Sequence, residues 1–300
     1  MIKNSKCIAC GKPIGDERTR CIDCTYSDLI GKQLAGLDMQ PLTDGGLIEF
    51  DKDSGGAYVK KFLGGAEEIR VPETCELGSV YKIGKEAFAD DGDIKKVYLP
   101  ATVRIIEERA FADSTLEQIT LPEGLTEIGK EAFDNTNLSC VSLPDTLNLL
   151  GDGAFRGTKS LTGIVVPEGV GIIPKNAFRD SKLESAVIVG ATRIQSGAFK
   201  DCAKLRRLYL GDGLLVMEDD SISGTKIAKL IVPSTVTRVG SGNLNCGMHI
   251  AITGEGTSIE LGDDDPKEFE ATLFARQTSR AWAQARAVKL ARRPLCEFKI

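Results

Sequence analysis

The chain has 300 residues, of which 42% are hydrophobic and 6% aromatic, and its formal net charge is −5. Residues 31–264 carry 25 basic and 35 acidic side chains, and this acidic excess disfavours nucleic acids and anionic lipid surfaces as partners. No apolar run approaches the roughly 18 residues of a membrane-spanning helix, so no transmembrane segment is expected.

The N-terminal segment contains two Cys-x-x-Cys pairs, Cys7 with Cys10 and Cys21 with Cys24. Two residues between thiols let one tight turn present both sulfur atoms, and two such turns complete a tetrahedral four-cysteine zinc site. Disulfides or a rubredoxin-like iron site are the alternatives. Four thiolates leave no open coordination position, so we expect a structural Zn²⁺ that folds residues 1–26. The segment resembles the small zinc-ribbon domains found at the N-termini of many bacterial proteins.

The cellular location is inferred from the first residues and from the cysteines. The start of the chain has no apolar segment of signal-peptide length, so we expect a cytoplasmic protein. A reducing compartment favours metal ligation or free thiols over disulfides. The other cysteines lack metal-site spacing; they are Cys75, Cys140, Cys202, Cys246 and Cys296.

Residues 27–57 are expected to form a linker followed by a cap for the repeats. Ser27 is placed to start a short helix, and residues 41–46 have the composition of a turn. Two short strands are predicted at 47–50 and 57–60, joined across an Asp-Ser-Gly-Gly turn.

From residue 58 to residue 254 the sequence repeats with gaps of 21 to 23 residues between equivalent positions. Residues 68–72 are interpreted as a first, degenerate strand of the series. An apolar slot marks each later copy and is filled by Phe88, Phe111, Phe133, Phe155, Phe178 and Phe199, and in two divergent copies by Ile222 and Leu244. A fixed period of this length is typical of a solenoid, in which each coil packs only on its neighbours.

The copy that begins with residues 116–122 illustrates the structure predicted for each repeat unit. Ile119 and Leu121 lie on alternate positions, the pattern of a short strand with one buried face, and the proline after them ends the strand. An apolar pair, Leu125 and Ile128, comes next, and the Ala-Phe pair is predicted to lie on a helical or 3₁₀ turn. We expect the Phe rings to stack, and the small residue three positions after each Phe to bond the turn backbone.

The motif Ile-Gly-x-x-Ala-Phe-x-x-Ser/Cys-x-x-Leu-x-x-Val-x-Leu-Pro, spread over residues 58–254, resembles the BspA-type (Treponema-type) leucine-rich repeat. The resemblance implies an α/β, right-handed, curved solenoid with a parallel sheet on its concave face. Family members are mostly known or presumed as bacterial and protist surface proteins that bind host or matrix proteins. The resemblance therefore implies protein binding, and it makes a surface location an alternative to the cytoplasm.

Residues 255–300 are expected to form a C-terminal helix and tail. Asp265, Pro266 and Glu268 are of the types favoured at the N-cap, first and third positions of a helix, and residues 266–292 are rich in helix formers. The helix either covers the last coil or, as a basic amphipathic helix, binds a partner, a membrane surface or nucleic acid.

No catalytic constellation is found in the sequence. The single histidine, His249, lies in a divergent copy, and neither a P-loop nor a dinucleotide-binding glycine motif is present. We therefore expect no enzymatic activity and no cofactor other than zinc.

The repeat leaves two outward positions of each strand free to vary. The first column consists of Tyr98, Thr120, Ser142, Val165, Val187, Tyr209 and Ile231. The second column, two residues earlier, consists of Lys96, Gln118, Cys140, Gly163, Ser185, Arg207 and Lys229. Tyrosine and arginine are favoured at protein interfaces and solenoids bind through such faces, although β-branched and aromatic residues also suit exposed strand positions.

These observations favour a non-enzymatic scaffold that binds a protein partner on the concave face. The predicted contact residues are Lys96, Tyr98, Val165, Val187, Arg207, Tyr209, Lys229 and Ile231. Two alternatives stay open. One is a nucleic-acid-associated protein that uses the zinc ribbon and the C-terminal helix, which the acidic central part disfavours; the other is a BspA-like surface adhesin.

Overall fold

The computed structural model describes residues 5–6, 13–14, 48–64, 66–244, 247–260, 272–277, 279–287 and 291–294. The chain divides into two compact units, Met1–Leu42 and Thr43–Ile300. In the first unit, the described strands β1 (Ser5–Lys6) and β2 (Pro13–Ile14) pair antiparallel.

The second unit is a β-solenoid in which successive coils stack through parallel strands. The long-strand ladder is formed by β5 (Glu68–Arg70), β8 (Lys96–Tyr98), β10 (Gln118–Thr120), β13 (Gly163–Val166), β15 (Ser185–Ile188), β17 (Arg207–Leu210), β19 (Lys229–Val232), β21 (His249–Ile252), β23 (Thr272–Ala275) and β24 (Ala291–Pro294). The ladder consists of three sheets, which end at β10, at β17 and at β24. A single bridge between Gln118 and Cys140 continues the pairing beyond β10.

A second ladder of shorter strands runs beside the first. The short-strand ladder is formed by β7 (Gly78–Ile83), β9 (Ile105–Ile106), β11 (Glu127–Ile128), β12 (Leu149–Leu150), β14 (Ile172–Ile173), β16 (Arg193–Ile194), β18 (Val216–Met217), β20 (Arg238–Val239) and β22 (Ser258–Ile259). The parallel-strand solenoid predicted from the repeat is thereby confirmed.

Strand β10 shows why these short segments form strands. Ile119 points inward and is buried, whereas Gln118 and Thr120 point outward and are half-buried. Parallel pairing sets Ile119 beside Val97 of β8, so equivalent residues of successive coils lie next to each other. A strand of three residues has little stability alone, and its neighbours on both sides supply the rest.

Stacked phenylalanine rings run through the core from coil to coil. From Phe88 to Phe199, neighbouring ring centroids are 4.9–5.7 Å apart and the planes lie within 11° of parallel. This spacing follows from the separation of paired strands, about 4.8 Å. The predicted stacking is confirmed. Phe62, which the sequence analysis does not include, extends the stack at 5.3 Å from Phe88.

The turns that carry the Ala-Phe pair are not helical, so the predicted helical or 3₁₀ turn is wrong. Two residues in each turn, four positions apart, have a positive φ, which a right-handed helix does not contain. The non-glycine residues among them are Glu86, Asp90, Arg109, Asp113, Glu131, Asn135, Asn176, Asp180, Asp201 and Asp220. Alternate backbone N–H groups of each turn donate to the next coil, as Phe111 N does to Ala132 O at 2.9 Å. The N–H groups between them donate three residues back within the turn, as Ala112 N does to Arg109 O at 3.1 Å.

Glu86 offers a test of this backbone geometry, because its φ is 55° and its side chain is exposed. An L-residue in the left-handed conformation costs roughly 1–2 kcal/mol, a penalty that glycine escapes. We expect Glu86→Gly to raise the free energy of unfolding by about 1 kcal/mol in a denaturant titration. Lys130→Gly, at an exposed turn position outside the left-handed region, should lower it. Destabilisation by both substitutions, as in a helix, would contradict the turn geometry.

The small residue three positions after each Phe bonds the turn backbone, as predicted. Ser114 Oγ donates to Phe111 O at 2.7 Å. Cys202 Sγ donates to Phe178 O of the preceding coil at 2.9 Å and lies 3.3 Å from Ser181 Oγ. Burial raises the pKa of the Cys202 thiol to about 11, so this cysteine has a structural role.

A side-chain amide replaces a backbone bond where the repeat diverges. Ile222 N donates to Oδ1 of the buried Asn243 at 3.1 Å, and Ser221 Oγ donates to the same oxygen at 2.8 Å. Asn243 Nδ2 in turn donates to Glu218 O at 2.7 Å and to Gly240 O at 2.9 Å. One amide therefore joins two neighbouring turns.

An antiparallel hairpin closes the N-terminal edge of the short-strand ladder. Strand β3 (Ile48–Asp53) pairs antiparallel with β4 (Gly56–Phe62), and β4 pairs in parallel with β7, which also pairs with β6 (Thr74–Cys75). The hairpin expected from the Asp-Ser-Gly-Gly turn is confirmed, and it leaves β3 as the outermost strand.

An ion cluster joins this hairpin to the first coils. Lys82 Nζ lies 2.8 Å from Asp53 Oδ2, 2.8 Å from Glu107 Oε1 and 4.5 Å from the centre of the Tyr58 ring. Hydrogen bonds from Lys82 and Tyr81 hold the pKa of Asp53 well below its usual range. Burial opposes the charged form of Lys82, but its hydrogen bonds to the two carboxylates outweigh burial and raise its pKa.

The parallel pairing continues beyond residue 254. Strand β23 pairs with β21, and β24 pairs with β23. The helix predicted over 266–292 is therefore wrong at Thr272–Ala275, and the described helix is α1 (Arg280–Ala287). Thr272–Ala275 forms a strand because the edge of β21 offers backbone partners, and these outweigh the helix propensity of the surrounding sequence.

Helix α1 covers the C-terminal end of the short-strand ladder. Gln284 Oε1 accepts a hydrogen bond from Ile259 N of β22 at 2.9 Å. Ala281 is fully buried in the core, and Arg280 N donates to Glu255 O at 3.0 Å. The role of the longer predicted helix as a cover for the last coil stays a prediction. Within the described part of the chain, no helix has the length and apolar character needed to cross a bilayer.

Candidate interaction surface

The outer face of the long-strand ladder presents the two columns of side chains expected from the sequence. Parallel pairing aligns Val165 with Val187 and Tyr209 in the first column. The second column is aligned in the same way, and Ser185 lies opposite Arg207. All eight predicted contact residues lie on this one face.

At the N-terminal end of this face, a cation stacks on an aromatic ring. The Arg70 guanidinium lies 4.1 Å from the centre of the Tyr98 ring and 3.3 Å from the Glu68 carboxylate. Burial, and secondarily the charge of Glu68, raises the pKa of Tyr98. Arg70 was not among the predicted residues; it was missed because its strand belongs to the degenerate first copy.

Towards the C-terminal end, the first column becomes apolar. Val187 and Tyr209 lie side by side and are half-buried, and Ile231 holds the same position in the next coil with 42% of its surface exposed. Ala251 and Phe274 hold this position in the next two strands, and both are buried. The accessible apolar row therefore ends at Ile231.

The second column is not accessible along its whole length. Gly163 and Ser185 are buried, because short side chains between longer neighbours do not reach the surface. Lys96 and Arg207 are half-buried, and Lys229 is exposed. Gln118 and Cys140 are half-buried as well, so a partner could touch these two residues and the three cations of the column.

Three lysines lie along the entry edge, by which we mean the residues just before each long strand. Lys182, Lys204 and Lys226 occupy the same slot in successive coils, and each precedes a buried residue of the core. All three are exposed, and none forms an ion pair with a described residue. These lysines are not among the predicted contact residues, although their regular spacing of 22 residues along the chain signals a row.

Most basic residues on the other sides of the same coils are paired. Arg193 Nη1 lies 3.0 Å from Glu218 Oε1, and Lys200 Nζ lies 2.9 Å from Asp220 Oδ2. Cations without an ion pair are therefore concentrated on the entry edge and outer face of these coils.

The remaining chemically reactive side chains do not converge. His249 is exposed on β21, with its ring centroid 5.5 Å from that of Phe274. Cys140 lies on the outer face, where burial raises its pKa, and Cys75 lies at the N-terminal cap. In the ranges that the structure describes, no three His, Cys, Asp or Glu residues are grouped to hold a metal ion.

The predicted zinc ligands Cys7, Cys10, Cys21 and Cys24 lie outside the described residues. The described pair β1 and β2 flanks the first of the two Cys-x-x-Cys segments in the sequence. The zinc site stays a prediction.

Comparisons with known proteins agree with the repeat structure described above. A family described as "BspA type Leucine rich repeat region (6 copies)" matches residues 81–206 and 173–260. A leucine-rich repeat protein from Bacteroides ovatus ATCC 8483 is similar with a TM-score of 0.56 and 21% identity, over 80% of this chain and 71% of that one. The leucine-rich repeat protein TpLRR from T. pallidum is similar with a TM-score of 0.55 and 25% identity, over 68% of this chain and 88% of that one. No curated protein matches the chain.

Proposed function

Because the chain belongs to the BspA-type leucine-rich repeat family, we propose that it is a non-enzymatic scaffold that binds a protein partner on the outer face of the long-strand ladder. The observation that carries the proposal is the pair of aligned columns, in which apolar, aromatic and cationic side chains stay accessible outside the core. Tyrosine and arginine are favoured at the centre of protein interfaces, and rigid parallel strands lower the entropy cost of ordering the backbone at binding.

A pull-down with the full-length chain tests the binding face. We expect Tyr98→Ala/Tyr209→Ala to lose the captured partner, because both rings lie in the first column and aromatic residues commonly dominate binding energy. The matched control is Leu149→Ser/Ile172→Ser, which removes two exposed apolar side chains, 46% and 47% accessible, from the short-strand ladder. Capture that is unchanged in the tyrosine variant, or lost in the control alone, would move the binding site away from the outer face.

We also propose that Cys7, Cys10, Cys21 and Cys24 hold one structural Zn²⁺. The donor set supports this, since four thiolates in two closely spaced pairs match a closed tetrahedral zinc site. The metal would connect segments of the N-terminal unit that are too short to fold around a core of their own.

Metal analysis of the purified protein tests the zinc proposal. We expect zinc to co-purify with the wild-type chain and to fall below stoichiometry in Cys7→Ser, because a thiolate ligand is lost. Cys202→Ser should retain the metal, since that thiol is buried in the solenoid. A wild-type protein without zinc, or with iron in its place, would end the proposal.

A further inference from the structure

The unpaired cations beside the outer face define the chemistry of the partner, and this inference rests on the proposed function. Six basic side chains of neighbouring coils form no ion pair with a described residue: Lys182, Lys204, Arg206, Arg207, Lys226 and Lys229. Glu184 is an exposed acid on the same edge, and it too forms no ion pair with a described residue. The local excess is strongly positive in a chain whose formal net charge is −5.

Cations without an ion pair are concentrated on this side of the coils, although the exposed Lys175 beside the short-strand ladder also has none among the described residues. On the turn side, Arg179 Nη2 lies 3.7 Å from Asp201 Oδ2, and Lys200 is bonded to Asp220. Near the N-terminal end of the same edge, Lys95 Nζ lies 2.9 Å from Glu67 Oε1. Cations left together without counterions repel one another, so an anionic partner gains both attraction and relief of that repulsion.

An apolar row runs directly beside these charges. Val187, Tyr209 and Ile231 occupy the first column, and Arg207 and Lys229 lie two residues earlier on the same strands. A partner that carries only negative charge would leave the exposed Ile231 uncovered. A long polyanion would also meet the acidic excess of the central part of the chain.

The spacing of the charges also fits a polypeptide. The lysines of the entry edge recur once per coil, at the strand separation of about 4.8 Å. Side chains on adjacent turns of a helix are about 5–6 Å apart, so an acidic helical face lying along the stack would meet one cation per turn.

We propose that the outer face between Lys182 and Ile231 binds an acidic, amphipathic polypeptide segment. Its carboxylates pair with the cations of the entry edge and of Arg207 and Lys229. Its apolar side chains cover Val187, Tyr209 and Ile231.

The test uses the full-length chain and a soluble synthetic helical peptide with glutamate on one face and leucine on the adjacent one. We expect Arg207→Glu/Lys229→Glu to weaken peptide binding by about tenfold or more, measured by fluorescence anisotropy. The matched control is Lys130→Glu/Lys175→Glu, which makes the same charge change at exposed lysines without ion pairs in the described residues. It should bind as the wild type does, and thermal melting confirms that both variants are folded.

Two further probes decide between polypeptide and other anions. The same peptide with glutamine in place of glutamate should not bind, and neither should a single-stranded oligonucleotide or vesicles of anionic lipid. Equal weakening by both double variants, or an oligonucleotide bound as tightly through Arg207 and Lys229, would overturn the proposal. If the acidic peptide does not bind but a captured protein still depends on Tyr98 and Tyr209, only this inference fails. If capture depends on neither pair of residues, the proposed binding face fails as well.

Discussion

Replacing Phe133 by alanine is expected to lower the free energy of unfolding by about 3–5 kcal/mol. The ring is fully buried and stacks on Phe111 at 5.3 Å and on Phe155 at 5.1 Å. Its removal leaves a cavity between two coils that the parallel ladders prevent from closing, because both ladders hold the coils at a fixed separation.

A denaturant titration of the full-length protein measures this effect. Leu149→Ala is the matched control, because that side chain is 46% exposed and should change the free energy of unfolding by only about 0.5 kcal/mol. Phe133→Leu should lie between the two, since leucine refills part of the cavity. A Phe133→Ala protein as stable as the control would show that the stack does not hold the coils together.

Replacing Asn243 by alanine is expected to lower the free energy of unfolding by about 3 kcal/mol. The loss of one side chain leaves Ile222 N, Glu218 O and Gly240 O without the bonds that Asn243 now supplies. Buried backbone groups without partners are costly, and this site cannot be reached by water while the coils stay stacked.

The control for this substitution is Asn148→Ala, at an exposed position in the repeat. It should leave the unfolding transition almost unchanged, by about 0.5 kcal/mol or less. Asn243→Asp keeps the size of the side chain but replaces its two N–H donors by a carboxylate oxygen, so it should also destabilise the protein. Full stability in Asn243→Ala would mean that the neighbouring turns rearrange to pair their own groups.

Most of the solenoid could be predicted from the sequence because each coil obeys the same local rules. Ile119 and Leu121 alternate, Pro122 ends the strand, and Phe133 recurs at a fixed distance from Phe111. Each of these patterns is recognisable within one copy, and its recurrence in the next copy confirms it. The buried positions of Ile222 and Leu244 show that the pattern survives where phenylalanine does not.

The turn conformation could not be predicted in the same way. Glu131 and Asn135 both have a positive φ, although neither residue type signals this as glycine does. Gly153 and Gly157 occupy the same two slots in the next coil, and that substitution was the available clue. The N–H groups of Glu131 and Asn135 themselves donate to the next coil, and such bonds cannot be recognised within a single copy.

The conformation of the C-terminal segment differs from the prediction because its composition favours a helix, whereas its neighbours in the fold favour a strand. Residues around Thr272–Ala275 favour a helix by propensity, yet the strand edge left open by His249–Ile252 decides their conformation. The candidate surface could likewise be predicted only in part. The columns follow from strand alternation, whereas the unpaired state of Lys182 and Lys204 depends on which acids lie nearby in space.

The hydrogen bonds between coils all lie along the direction of stacking, from Phe111 N to Ala132 O and onward. A force that pulls the two ends of the solenoid apart would load these coils in series, so they would open one at a time and not together. Each opened coil releases roughly 70 Å of extended chain. A solenoid built in this way would therefore lengthen in steps under load, coil by coil.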